Sequence, residues 1–488
     1  SILLLAALPA RAADRVALLF GMAGYTTVPT LNNTHNDAVA IAETLEGIGF
    51  EVTTLLDAGL TDMRAALDDF AFRAETADLA LIYFAGHAVE VQGENFFIPV
   101  DAEVASNRDV QQQSLTLKDF LASVDRARKM RIVILDSCRD NPFGDGIDAA
   151  VASGGAGDGT GTRGGGGGLA PANPDRGTLV AYAARDGQVA FDGDGENSPF
   201  AQALVEALPK QDLEISLMFR QVRDSVLRKT ANLQEPHTYG SLTGVPFYLA
   251  GSSDGSIALA QEDKRAAWSS LRSEQAEQLA ALAAQGDTRS LLGLAYMRLN
   301  PDGTRFDPAE AYRLLSEASD AGSAEAQYEL AKLYEDGLGT EADAETALRL
   351  YRASADQDFA DAINDIGFLT YQVLLGLTPD PVSALTYFER AADLRHPQAM
   401  FNFAALIDDG LVATKGSEAA AGYLYDAIRT GSQDVLDLLS ERPGMFSDDT
   451  RRELQKILSV NAFYSGAIDG DFGQGTQRGL RRAFGLEG

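Results

Sequence analysis

The sequence predicts an α/β domain with a mainly parallel sheet flanked by helices, then an all-α repeat solenoid, then a small helical C-terminal domain. Three observations carry that expectation. Up to about residue 250, short apolar runs rich in β-branched and aromatic residues alternate with segments of helical spacing, the pattern of βαβ units. From about Ala258 the strand-like runs stop and self-similarity appears at a fixed step. The final stretch, 446–488, reads as helices around a single turn.

Taken in order, 16–21 is a first strand and 21–37 a loop. A helix follows over 38–48, stopped by Gly47 and Gly49, then a strand over 50–56. A helix over 61–74 opens on the capping residue Thr61. The apolar run 79–86 ends at His87, and a longer connection carries Phe96-Phe-Ile-Pro-Val100. A helix over 117–126 leads to a second apolar run, 131–138, which ends at Cys138. Residues 153–177 are Gly-rich and too costly in backbone entropy to order alone, so a mobile surface loop is expected. Beyond it come a strand over 178–183, helices over 198–208 and 214–228, and a last strand over 245–250. The first domain therefore spans 14–250, with a helical linker at 251–284.

In the repeats, expected over 285–440, Ala326, Ala362 and Ala399 recur at steps of 36 and 37 residues. Each is followed by a second helical segment, such as Ala347-Leu-Arg-Leu-Tyr-Arg-Ala or Ala384-Leu-Thr-Tyr-Phe-Glu-Arg-Ala. Small residues at close contacts and aromatics in the grooves are what stacked helix pairs require. Such solenoids present a concave binding face, here for a protein partner; a plain spacer is the competing reading.

The 488 residues carry a formal charge of −31, which argues against a nucleic-acid surface. A single cysteine excludes an intramolecular disulfide and multi-cysteine metal sites. The start, Ile2-Leu-Leu-Leu-Ala-Ala-Leu8 followed by Ala10-Arg-Ala12, reads as the remnant of a signal peptide (1–12), too short to span a bilayer. Export to a periplasm or cell envelope follows, and no segment reaches transmembrane length.

The chemistry sits at the ends of the two apolar runs. In open parallel sheets, sites form at the carboxyl ends of strands. If these strands are neighbours, His87 and Cys138 meet at one edge, which is what thiolate catalysis needs. Singly, each has a bland reading: a small core hydrophobe for the cysteine, a turn residue for the histidine. Fifty-one residues separate them, matching the spacing of ~50 between catalytic His and Cys in caspases. His35 and His237 are rival imidazoles, but no strand delivers them.

This region resembles the caspase-like cysteine peptidases, and more closely their bacterial metacaspase-like relatives, over about 14–250. The resemblance implies Cys138 as nucleophile and His87 as acid/base, with an oxyanion hole from the backbone amides of Cys138 and Ala88. The family usually has Gly where Ala88 stands, so its Cβ is expected to crowd the substrate or restrict the backbone. Asp136, two residues before the cysteine, matches the metacaspase form, and Asp37 in Asn36-Asp37 resembles a pocket acid. Together they imply a substrate-binding pocket for Arg or Lys. For Asp37 an N-cap of the following helix is the alternative, and for Asp136 a carboxylate capping a neighbouring loop. Arg163 and Arg176 are candidate self-cleavage positions. Calcium activates some metacaspases, but no ligands stand out among so many carboxylates; no metal site and no cofactor are assigned.

The repeats resemble Sel-one-like repeats, short relatives of tetratricopeptide repeats. The turn Tyr464-x-Gly-x-Ile-Asp-Gly-x-Phe-Gly473 resembles a peptidoglycan-binding domain, with a helical cap on the solenoid as the alternative. Two functional expectations follow. One is a cysteine endopeptidase acting on protein or peptide substrates after Arg or Lys. The other is an idle caspase-type fold serving as an envelope scaffold.

Overall fold

The computed structural model describes residues 14–138, 177–185, 190–193, 195–240, 242, 245–251, 264–372, 374–377 and 380–486. They fall into two compact units, one built on 13–243 with 247–258 and the other on 259–488. The expected signal remnant, the Gly-rich loop, Arg163 and Arg176 lie outside the described residues.

The first unit is a twisted sheet with helices on its faces. Its strands are β1 (Arg15–Gly21), β2 (Glu51–Leu56), β3 (Leu79–Val91), β4 (Glu94–Phe97), β5 (Leu115–Thr116), β6 (Met130–Cys138), β7 (Thr178–Tyr182) and β8 (His237–Gly240). The main order is β2-β1-β3-β6-β7-β8, parallel except for the last pair. The central strands β1, β3, β6 and β7 are mostly apolar and buried, as expected when helices cover both faces, with Arg15, Glu90 and Arg131 half-buried and His87, Asp136, Ser137 and Thr178 as buried polar residues. Helices α1 (Thr34–Gly47), α2 (Leu60–Ala74), α3 (Asn107–Gln113), α4 (Leu117–Val124), α5 (Pro199–Ala207) and α6 (Ile215–Lys229) complete the unit. In its core Phe20 and Phe97 each stack on Phe120, and Phe84 meets Phe20 tilted and Phe97 edge-on.

Four features differ from the sequence-based expectation. Helix α2 begins at Leu60 behind Gly59, so Thr61 lies in its first turn and is not its cap; the Leu60 N–H goes instead to Asp101 Oδ1. Strand β3 does not stop at His87 but continues to Val91 and turns back as the antiparallel β4. The first helix begins at Thr34, whose hydroxyl donates to the Met22 carbonyl, so Asp37 lies inside the first turn rather than at the cap. The closing strand is His237–Gly240, not 245–250: Pro246 has no N–H to give a ladder, and the Phe247 carbonyl instead accepts from Ile215 N–H at the start of α6.

The second unit is entirely helical. Four helix pairs follow one another: Thr288–Leu299 with Pro308–Asp320, Ala324–Asp336 with Ala344–Ala355, Ala360–Gln372 with Pro381–Asp393, and Pro397–Asp408 with Ser417–Arg429. Asp307, Ser323, Asp343 and Asp380 accept from backbone N–H groups of the turns they start. Ala326, Ala362 and Ala399 are fully buried, which is why the step keeps a small residue there. In the last piece, Gln455 clamps the turn between Asp448–Val460 and Gln474–Phe484. Its Oε1 accepts from Asp469 and Gly470 N–H, and its Nε2 donates to the Asp471 carbonyl and Thr476 Oγ1.

Candidate active site

Parallel pairing of β3 with β6 runs from Leu79 opposite Met130 to His87 opposite Cys138. The register therefore sets the two residues side by side at the point where the pair ends. Neither needs a special turn to reach the other; an in-register run from a common start delivers both.

The orientation of His87 is fixed by the loop after β1. Its Nε2 lies 2.8 Å from the Pro29 carbonyl oxygen. A carbonyl only accepts, so Nε2 carries the proton and Nδ1 the lone pair. Nδ1 is buried and has no hydrogen-bond partner among the described residues. Tyr25 completes the mount: its hydroxyl accepts from the His87 backbone N–H at 2.8 Å, and its ring packs 4.6 Å from the imidazole. Burial pushes the imidazole below its ordinary value, opposed by the Pro29 bond and the charge of Asp192. It is neutral near pH 7 and able to accept.

The backbone at Ala88 is also oriented. The Ala85 carbonyl accepts from Met22 N–H and the His87 carbonyl from Ile98 N–H (3.0 Å), so both face the β1/β4 side of β3. In the trans peptide joining His87 to Ala88, N–H and C=O point in opposite directions. The Ala88 N–H thus faces the β6 side, where Cys138 ends its strand. The Ala88 methyl is 1% exposed and belongs to the apolar core.

Asp37 and Asp136 are brought together, at 1% and 7% exposure, by α1 and β6. Asp37 Oδ1 accepts from Asn197 Nδ2 and Ser198 N–H, both at 2.9 Å. Asp136 Oδ2 accepts from Ser198 Oγ at 2.7 Å and Tyr83 OH at 3.0 Å. Burial, then the charge of Asp136, pushes Asp37 up to about 8. Burial likewise raises Asp136, to about 6, against the pull of its two hydroxyl donors. Asp192 adds a third negative charge to the neighbourhood of both, while its backbone carbonyl and carboxylate accept from Asn33 Nδ2 and Asn32 N–H. The N-cap of α5 is Ser198, the residue that donates to Asp136, and not Asp136 itself.

The rival imidazoles are placed elsewhere. His35 Nε2 is 2.9 Å from Asp57 Oδ1, and His237 lies on β8 against Tyr239. Nothing in the sequence marks Pro29, Tyr25, Tyr83 or Asp192; Asn197 and Ser198 stand in Glu196-Asn-Ser-Pro-Phe200, a segment that resembles the bacterial branch of the family, and Ser198 also begins a Ser-Pro step opening a helix. Among the described residues no three His, Cys, Asp or Glu side chains group to hold a metal ion, and no helix is long and apolar enough to cross a membrane.

Residues 14–247 match the family model of the Caspase domain, and 288–323, 324–359 and 360–396 each match the Sel1 repeat. Over 138 residues, 28% of this chain, the sequence is 32% identical to human Mucosa-associated lymphoid tissue lymphoma translocation protein 1; its mouse homolog is 31% identical over the same length. The matched stretch is 16% of the length of either relative. Chitin synthase regulatory factor 2 of Schizosaccharomyces pombe is 28% identical over 110 residues, 22% of each chain. Among solved structures, a Sel1 repeat protein from Oxalobacter formigenes aligns at 20% identity with a TM-score of 0.32, covering 43% of this chain and 96% of that one. The chain carries a caspase-family domain followed by Sel1 repeats.

Proposed function

We propose that this protein is a cysteine endopeptidase that cleaves protein or peptide substrates after Arg or Lys. The observation that carries the reading is the His87–Cys138 register where the pairing of β3 with β6 ends, beside two buried carboxylates: Asp136, two residues before the cysteine, and Asp37 of α1. His87 Nδ1 takes the Cys138 thiol proton, and the thiolate attacks the scissile carbonyl carbon. The resulting oxyanion is stabilised by the N–H groups of Ala88 and Cys138. The C–N bond then breaks as the imidazolium protonates the leaving amine, and water hydrolyses the thioester to a carboxylic acid and the free thiol. Asp37 and Asp136 receive the substrate's guanidinium or ammonium; a carboxylate in that position would meet like charge.

The Sel1 repeats hold a protein partner, and the C-terminal piece takes a peptidoglycan strand at the turn that Gln455 clamps. The sequence of residues 1–12 supports export to the cell envelope, and Arg163 or Arg176 would serve as self-cleavage positions.

Fluorogenic peptides ending in Arg, Lys or Asp test the reading, with wild type beside Cys138→Ala, with and without calcium. Turnover of the Arg and Lys peptides that vanishes in the variant is the expected result. Turnover of the Asp peptide alone would overturn the pocket. No turnover under any condition would overturn the peptidase in favour of a scaffold.

A further inference from the structure

We infer that Ser198 is a positioning residue for recognition of the substrate's basic side chain, clamping Asp37 through its amide and Asp136 through its hydroxyl. The inference rests on the reading of these two carboxylates as the cation pocket. Ser198 is 2% exposed and joins two elements that the chain holds far apart, α1 and β6.

Hydrogen-bond directions follow from the donor inventory. Ser198 Oγ has one proton and already accepts from Ala201 N–H at 2.9 Å. An ionised carboxylate only accepts, so the hydroxyl proton goes to Asp136 Oδ2. Four donors converge on two oxygens: Asn197 Nδ2 and Ser198 N–H on Asp37 Oδ1, Ser198 Oγ and Tyr83 OH on Asp136 Oδ2. Among the described residues, Asp37 Oδ2 and Asp136 Oδ1 take no hydrogen bond, and neither carboxylate is paired with Lys or Arg. One oxygen of each acid is thus held and the other is left for an incoming cation, the arrangement a planar guanidinium can bridge.

Without a donor on Oδ2, a buried Asp136 beside Asp37 would keep its proton and offer a cation nothing. The groups facing it are Asp37 from α1, Tyr83 from β3, Ser198 at the N-cap of α5 and Asp192 from the segment after β7; none is a cation near neutral pH. The Ser198 hydroxyl is the shorter of the two bonds that hold Asp136 anionic, and the same residue fixes where Asp37 sits.

The test uses the full chain with an Arg-ended fluorogenic peptide, KM and kcat being followed across pH, and agmatine as a competing guanidinium. Loss of a hydrogen bond to a charged group amounts to about one pH unit or more. Ser198→Ala should therefore raise KM and the agmatine inhibition constant about tenfold near pH 7, with kcat changed less than about threefold. The pH at which KM falls should move up by about one unit, and Ser198→Thr should restore both. Because Ser198 also caps α5, Tyr83→Phe serves as the second variant: it strips the other donor from Asp136 without touching the cap, and should move KM the same way. Unchanged KM and agmatine inhibition in both variants would overturn the inference, as would a fall in kcat at constant KM. Wild type that does not prefer Arg or Lys peptides over Asp would instead overturn the pocket reading, and the inference with it.

Discussion

Replacing Asp37 by Asn tests whether two carboxylates share one pocket without a resident counter-ion. Asp37 is buried, and burial followed by the charge of Asp136 raises it from 3.8 to about 8. A group raised in the folded state contributes stability that is complete below its unfolded value and is lost as pH rises through the folded one. Here the window runs from 3.8 to about 8. At about 1.4 kcal/mol per unit, the ceiling is about 6 kcal/mol. Charge sharing with Asp136 and access of water to the pocket bring the expected loss between about pH 5.5 and 9 to about 2 kcal/mol. Asn keeps an Oδ1 acceptor for Asn197 and Ser198, carries no charge, and turns an N–H toward Asp136. In calorimetry of the full chain, the variant's caspase-domain transition should lie about 5 °C above wild type at about pH 9 and close to it at about pH 5.5. The helical-repeat transition is the internal reference. An equal or lower transition for the variant at the higher pH would refute an uncompensated buried pair.

Other predictions test neighbouring parts of the same account. At Gly86 a Cβ would lie 2.6 Å from Tyr25 Oη and 2.9 Å from Met22 Cβ, so Gly86→Ala should displace the mount of His87 and lower kcat more than about tenfold in a peptide assay. Ala88→Gly should leave KM unchanged and cost about 1 kcal/mol in denaturant unfolding, because the methyl lies in the core. Asp192→Asn should shift the acid limb of kcat/KM further down, since the Asp192 charge works against burial at His87. In the repeats, Gly293→Ala would set a Cβ 2.7 Å from the Trp268 ring, lowering the helical transition and changing tryptophan fluorescence while the caspase-domain transition stays in place.

The parts of this fold legible from sequence are those whose signal is local. Strands β3 and β6 announce themselves through the short apolar runs 79–86 and 131–135, and the residues at the end of their shared register, His87 and Cys138, are the ones chemistry would use. The repeats are legible because Ala326, Ala362 and Ala399 recur where helices touch. The hairpin beyond His87 was not legible, because the apolar pattern gives no sign of where a strand stops pairing with one neighbour and starts pairing with another. The false strand at 245–250 came from burial of Phe247, Tyr248 and Leu249, which an irregular segment satisfies equally well. Pro29 acts through a backbone carbonyl, which any residue possesses, so nothing in its type marks it. Asp192 acts across loops, and Ser198 reads only as a helix cap until β6 and α1 are placed beside it.

The central claim is a working His–Cys pair beside a pocket for a cationic side chain. Intact-mass analysis after exposure to matched peptidyl electrophiles ending in Arg or Asp tests it directly, with Cys138→Ala and His87→Gln alongside. The account predicts a single adduct on Cys138 from the Arg compound, slowed at least about a hundredfold in His87→Gln and absent in Cys138→Ala. Equal labelling by the Asp compound, or labelling indifferent to His87, would contradict it.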